Sequence, residues 1–121
     1  MTDNKSTSKK IAKIAYSALS SKKGEDIQIL DISQISMIAD YFVIASGSNI
    51  SQLEALRDNV EEMLEKEGYK LKNAEGMRRG SGWILLDYQD VVIHIFSNDD
   101  RQFYDLERIW GDAINISEEE L

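Results

Sequence analysis

The apolar positions along the chain change period several times, and each change marks an element. Ile11, Ile14, Ala15, Ala18 and Leu19 recur at i, i+3, i+4, i+7 and i+8, the stripe of a helix with one buried face. Ser8 can cap this helix, which the pattern carries to about Ser21. Lys22 and Lys23 suit its C-terminal end by charge, and Gly24 stops it. DIQILDIS then compresses Ile27, Ile29 and Leu30 into a short run that reads as a strand, and SQISMIAD reads as a linker with at most one helical turn. YFVIASG, residues 41–47, is β-branched and aromatic without strict alternation. That pattern predicts a strand covered on both faces.

A second helix is predicted over about 50–67, capped by Ser48 or Asn49 and stopped by Gly68. Its apolar face is Ile50, Leu53, Leu56, Val60, Met63 and Leu64. Its outer face carries Glu54, Asp58, Glu61, Glu62 and Glu65, read as a solvated charge run. YKLK is a weak strand, and a loop with Gly76, Arg78, Arg79, Gly80 and Gly82 follows. WILLDY (83–88) and VVIHIF (91–96) are strong strands separated only by Gln89 and Asp90, which predicts a tight hairpin. Asn98 or Asp99 caps a last helix that Gly111 ends. The expected organisation is a tail over 1–7, one domain over 8–114 and a frayed acidic tail over 115–121. The order of elements predicts an α/β (α+β) single domain, a mixed sheet of about five strands flanked by helices.

Composition narrows the chemistry. A chain of 121 residues with 42% hydrophobic and 30% charged residues suits one soluble domain with its own core. It has no cysteine, so disulfides, zinc-thiolate sites and cysteine nucleophiles are excluded, and its one histidine, His94, excludes a His-rich metal site. No apolar run approaches the roughly 20 residues that span a bilayer. The net charge is −8, unevenly spread. Residues 1–23 hold six lysines and one aspartate, a net of +5, and residues 24–121 hold eight bases and 21 acids, a net of −13. So acidic a body suits a basic partner protein better than a phosphate backbone. The basic start reads as a loose tail and a lysine-rich helix face rather than a transit peptide, which would be Arg-rich.

Four places could carry chemistry. SGSNIS (46–51) joins a strand to a helix and could offer backbone N–H groups to a phosphate, but the same residues make an ordinary helix cap. A nucleotidyl-transfer site would also need paired metal-binding acids. Asp87 and Asp90 are three apart with the hairpin turn between them, so that spacing fails. His94 shares a strand face with Val92 and Phe96 and lacks the partners of a nucleophilic triad. It reads as a half-buried histidine satisfied by a neighbour such as Asp87, as a polar contact on a binding face, or, more remotely, as a general base. FYDLERIWGDA (103–113) turns Phe103, Leu106, Ile109 and Trp110 to one arc and leaves Tyr104, Glu107 and Arg108 elsewhere on the wheel. A tyrosine among polar groups on an exposed helix face suits an interface hot spot. Arg78 and Arg79 could meet RNA phosphates or simply face solvent.

DYFVIASGSN, GWILLDYQDVVIHIF and FYDLERIWGDA, in that order and spacing, resemble the signature blocks of the Iojap family, known in bacteria as the ribosomal silencing factor RsfS. The resemblance covers about residues 8–114. It implies a mixed α/β fold shaped like a nucleotidyltransferase but without the catalytic acids, no enzymatic activity and no cofactor or metal. It also implies a cytoplasmic protein, often a homodimer when free, that binds the large ribosomal subunit through that subunit's fourteenth protein. Bound there, the family blocks joining of the small subunit and represses translation when nutrients are scarce. Carried over residue by residue, the partner-binding set is Trp83, Leu86, Asp87, Tyr88, His94, Phe96, Tyr104, Glu107 and Arg108, with Trp110 as support. By the wheel, Tyr104 and Glu107 are expected to touch the partner. Ser97-Asn98 departs from the His-Pro that many relatives carry after the phenylalanine. A nucleotidyltransferase-like enzyme and a large-subunit assembly factor are the alternatives, and the lysine-rich first helix allows a peripheral ribosomal RNA contact.

Overall fold

The computed structural model describes residues 4–34, 37, 39–76, 82–98 and 114–116. Helix α1 (Asn4–Ser21) leads to strands β1 (Glu25–Asp31) and β2 (Tyr41–Gly47), helix α2 (Ile50–Lys66), and strands β3 (Asn73–Glu75), β4 (Trp83–Asp87), β5 (Val91–Ser97) and β6 (Ile114–Ile116). The strands form one sheet in the order β3-β4-β5-β2-β1-β6. The β2–β5 pair is parallel and every other pair is antiparallel. The chain folds as a single α+β domain with a mixed sheet.

Helices α1 and α2 share one face of the sheet. Ile11, Ala15, Ala18 and Leu19 of α1 and Leu53, Leu56, Val60 and Leu64 of α2 pack on Ile29, Val43, Ala45, Ile84, Leu86, Ile93 and Ile95. Both helical stripes are thus the ones their spacing predicts, although Ile50 is left 37% exposed at the start of α2. A second apolar cluster contains no residue of either helix: Leu30, Ile32, Ala39, Phe42, Ile44 and Phe96, with Trp83 and Val92 against it. Strand β2 is therefore buried along its whole length, as expected of a central strand whose two faces both meet apolar layers.

Several boundaries differ from those the sequence predicts. Helix α1 begins at Asn4, inside the segment expected to be a tail. Ser8 does not cap it but is fully buried, and its hydroxyl donates to Asp40 Oδ2 at 2.8 Å. A long-range acceptor has taken over a side chain that local pattern assigns to the backbone. At the other end Lys23, not Gly24, adopts positive φ (62°). Gly24 is needed for close approach instead, since a Cβ there would sit 2.9 Å from the Leu19 carbonyl oxygen and 3.3 Å from Leu56. YKLK is not a strand, and pairing starts one residue later, with Asn73 opposite Asp87. Asn115 and Ile116, expected in a frayed tail, belong to β6, which pairs with β1 through Ile29↔Ile116 and adds a sixth strand to the five anticipated. A strand this short has too few alternating residues to register as a period.

Candidate partner-binding hairpin

The β4–β5 hairpin turns within a few residues around Gln89 and Asp90, as predicted. Tyr88 N–H donates to the Val91 carbonyl at 2.9 Å, and Asp90 N–H returns to the Tyr88 carbonyl at 3.1 Å around Gln89, whose φ is 79°. This is a γ-turn of the strained, positive-φ kind. Asp87 Oδ1 braces it by accepting from Gln89 N–H at 2.7 Å. The tip is also tied to the start of β2, because the Asp90 carbonyl accepts from Asp40 N–H at 2.7 Å. Burial, and then the Asp40 carboxylate, hold the Asp90 carboxyl above its ordinary value.

Register sorts the sequence-derived binding residues onto two faces. Trp83 lies opposite Phe96, Leu85 opposite His94 and Asp87 opposite Val92. Cross-strand partners share a face, so Trp83, Asp87, His94 and Phe96 come together on the side away from α1 and α2. Leu86 and Tyr88 belong to the core beneath those helices, 0% and 5% exposed. Leu86 therefore supports the hairpin from within. Tyr104, Glu107, Arg108 and Trp110, and the loop arginines Arg78 and Arg79, lie outside the described residues.

His94 is more buried than its strand position suggests, 4% exposed, and its neighbour is not Asp87. Trp83 Nε1–H donates to His94 Nδ1 at 3.2 Å. Phe42 meets the imidazole edge-on at 4.7 Å between centroids, and Trp83 stacks on Phe96 at 5.1 Å. An indole N–H only donates, so Nδ1 must be the unprotonated nitrogen and the neutral ring carries its proton on Nε2. Burial pushes the imidazole down to about 4, which agrees with a neutral ring. Nε2 is sealed and has no hydrogen-bond partner among the described residues. With Nδ1 occupied and Nε2 protonated, neither nitrogen is free to act as a base, so the general-base reading of His94 fails on chemistry. Phe42 completes this nest, and sequence reasoning misses it, because residues 41–47 signal only a doubly covered strand.

The strand-to-helix turn at SGSNIS is likewise committed to structure. Asn49 Oδ1 caps α2 by accepting from Gln52 N–H at 2.8 Å, and Gln52 Oε1 accepts from Ser48 N–H at 2.7 Å. These reciprocal bonds consume donors that a phosphate would need. No group of three or more histidine or carboxylate side chains among the described residues is arranged to hold a metal ion. No helix among them is long and apolar enough to cross a membrane.

Known proteins resemble this chain in sequence and in fold. A family model described as "Ribosomal silencing factor during starvation" (RsfS) matches residues 5–121. The chain is 41% identical over 105 residues to the ribosomal silencing factor RsfS of Bacillus subtilis, covering 87% of this chain and 88% of that one. It is 34% identical to the chloroplastic protein Iojap of Arabidopsis thaliana, covering 88% of this chain and 42% of that one. A crystal structure of a protein from Chromobacterium violaceum superposes with a TM-score of 0.81 at 34% identity, covering 84% of each chain. The match runs through nearly every element described above, and the chain belongs to the RsfS/Iojap family of ribosomal silencing factors.

Proposed function

We propose that this protein is a non-enzymatic, steric inhibitor of ribosomal subunit joining. It binds the large subunit through that subunit's fourteenth protein, blocks the small subunit and represses translation when nutrients are limiting. The observation that carries the reading is family membership over nearly the whole chain. The hairpin adds physical support. Its outward face is held rigid by the Trp83–His94 bond and the braced turn, and a stiff, aromatic-rich face loses little entropy on docking. Trp83 and Asp87 are the hairpin residues of the set that stay partly exposed on that face, and Tyr104, Glu107 and Arg108 complete the set from the sequence block that follows. The acidic body, net −13 over residues 24–121, favours a basic ribosomal protein and makes binding salt-sensitive. The site of action is the cytoplasm, and the free protein is a homodimer. Lys9, Lys10 and Lys13 on the exposed face of α1 supply a peripheral contact to ribosomal RNA.

Sedimentation of the purified protein with separated subunits at moderate salt tests this reading, with Tyr104→Ala run beside wild type. Wild type should travel with the large subunit and prevent joining, and the variant should do neither. Wild type left at the top of the gradient would overturn the reading. Co-sedimentation with precursor particles only would replace it with an assembly role. Stabilisation by nucleotide and magnesium, with turnover lost in Asp87→Asn, would replace it with nucleotidyl transfer.

A further inference from the structure

Strand β4 holds two adjacent leucines, Leu85 and Leu86, and the pleat sends them to opposite faces of the sheet. Leu86 is fully buried beneath α1 and α2. Leu85 is half-buried and belongs to neither apolar cluster among the described residues. Every other apolar residue of β4 and β5 is part of one of those clusters or packs against it. A single exposed leucine carries little meaning, but Leu85 has company. Trp83 lies two residues away on the same strand face and is half-buried too, as is Val92 on the neighbouring strand, diagonal to Leu85 in the register. The three form an apolar strip on the side away from the helices. Carboxylates stand at its rim. Asp87 ends the strip along β4, and Glu75, exposed on the edge strand β3, is directly opposite Leu85.

We propose that Leu85 is the central apolar contact of the silencing interface, with Trp83 beside it and Glu75 and Asp87 as a charged rim. The occupant is a surface of the basic ribosomal protein that sets an aliphatic side chain between lysines or arginines. This inference rests on the silencing reading and deepens it. Leu85 takes the place of Leu86 in the contact set, because a contact residue must reach the surface and Leu86 is 0% exposed. The indole of Trp83 meets the partner without its donor, since Nε1–H is already given to His94. Recognition at the centre is therefore apolar, made by ring carbons and the leucine methyls. The rim carboxylates add orientation and salt dependence around that centre, the usual division between the core and the edge of an interface.

The test measures the affinity of the full chain, labelled at its N-terminus, for purified large ribosomal subunits by fluorescence anisotropy. The urea midpoint of every variant is measured alongside. Leu85→Thr keeps a side chain suited to a strand and should weaken binding about tenfold with little change in midpoint. Leu85→Met keeps an apolar side chain and should bind within about twofold of wild type. Ile84→Val alters the neighbour on the helix-covered side, so it should lower the midpoint and bind as tightly as wild type. Glu75→Gln should weaken binding about threefold at low salt and by less at high salt. Equal affinity of wild type and Leu85→Thr, or an equal loss in Ile84→Val and Leu85→Thr, would overturn the role of Leu85. An unchanged affinity of Glu75→Gln at low salt would overturn the charged rim. Wild type that fails to bind the large subunit at all would overturn the silencing reading and this inference with it, whereas wild type and Leu85→Thr binding alike would sink the inference only.

Discussion

Trp83 Nε1 donates to His94 Nδ1 across the β4–β5 pair, although the two residues are not direct partners in the register. The bond runs on the diagonal, Trp83 being opposite Phe96 and His94 opposite Leu85. It sets the histidine tautomer, fills a nest otherwise apolar, and holds the tryptophan against Phe96. One hydrogen bond thus decides both a protonation state and the orientation of the largest side chain on the proposed contact face.

The first prediction concerns pH. His94 has a folded value near 4 against an ordinary 6.5. The unfolded chain therefore takes up a proton as pH falls through 6.5 while the folded chain does not. Stability is full above 6.5 and declines between 6.5 and 4, by about 2 kcal/mol from pH 7 to pH 5. Urea midpoints at the two pH values measure it. His94→Gln keeps an acceptor for Trp83 without titrating and should flatten most of that decline.

Replacing Trp83 by phenylalanine removes the donor and part of the stack. The cost should be about 1–2 kcal/mol. Two-bond ¹H–¹⁵N spectra of the imidazole should show a single Nε2–H tautomer in wild type and a mixture in Trp83→Phe. A single tautomer in both would show that the nest, not the bond, selects it.

Ser8→Ala should destabilise by about 1–2 kcal/mol, since it leaves Asp40 Oδ2 short of a donor in a part-buried site. Were Ser8 merely a helix cap, truncating α1 before it would be harmless. Thermal melts of both variants separate the two roles.

Two glycines with similar positive φ should respond differently. At Gly68 (φ 87°) an added Cβ would meet open space, so Gly68→Ala should cost about 1 kcal/mol from backbone strain alone. At Gly76 (φ 73°) an added Cβ would overlap the Trp83 carbonyl, and Gly76→Ala should cost more than about 2 kcal/mol. Chemical denaturation of the pair, read against wild type, checks the order.

Much of the fold is legible in the sequence because it rests on local periodicity. The α1 and α2 stripes, the Asn49 cap, the Gly68 stop and the tight hairpin all depend on residues within a few positions of one another. Strand β6 is not legible. Three residues carry almost no period, and their partner strand β1 lies near the other end of the chain, with Ile116 opposite Ile29. Of the candidate site, the residue types are readable but not their faces. Tyr88 and Trp83 share a motif, yet they end on opposite sides of the sheet, and only the course of the chain into the turn settles which side each takes.

Sequence alone determined the order of elements, the absence of thiol and poly-histidine chemistry, the uneven charge and the family blocks, because each is a property of composition or of short-range spacing. Tertiary structure alone decided that Ser8 serves Asp40 rather than a helix end, that His94 answers to Trp83 rather than Asp87, and that Leu86 rather than Leu85 packs beneath the helices. Those outcomes depend on which strands pair and in what register. Register is set by the summed burial of the whole sheet, a quantity that no local stretch of the chain contains.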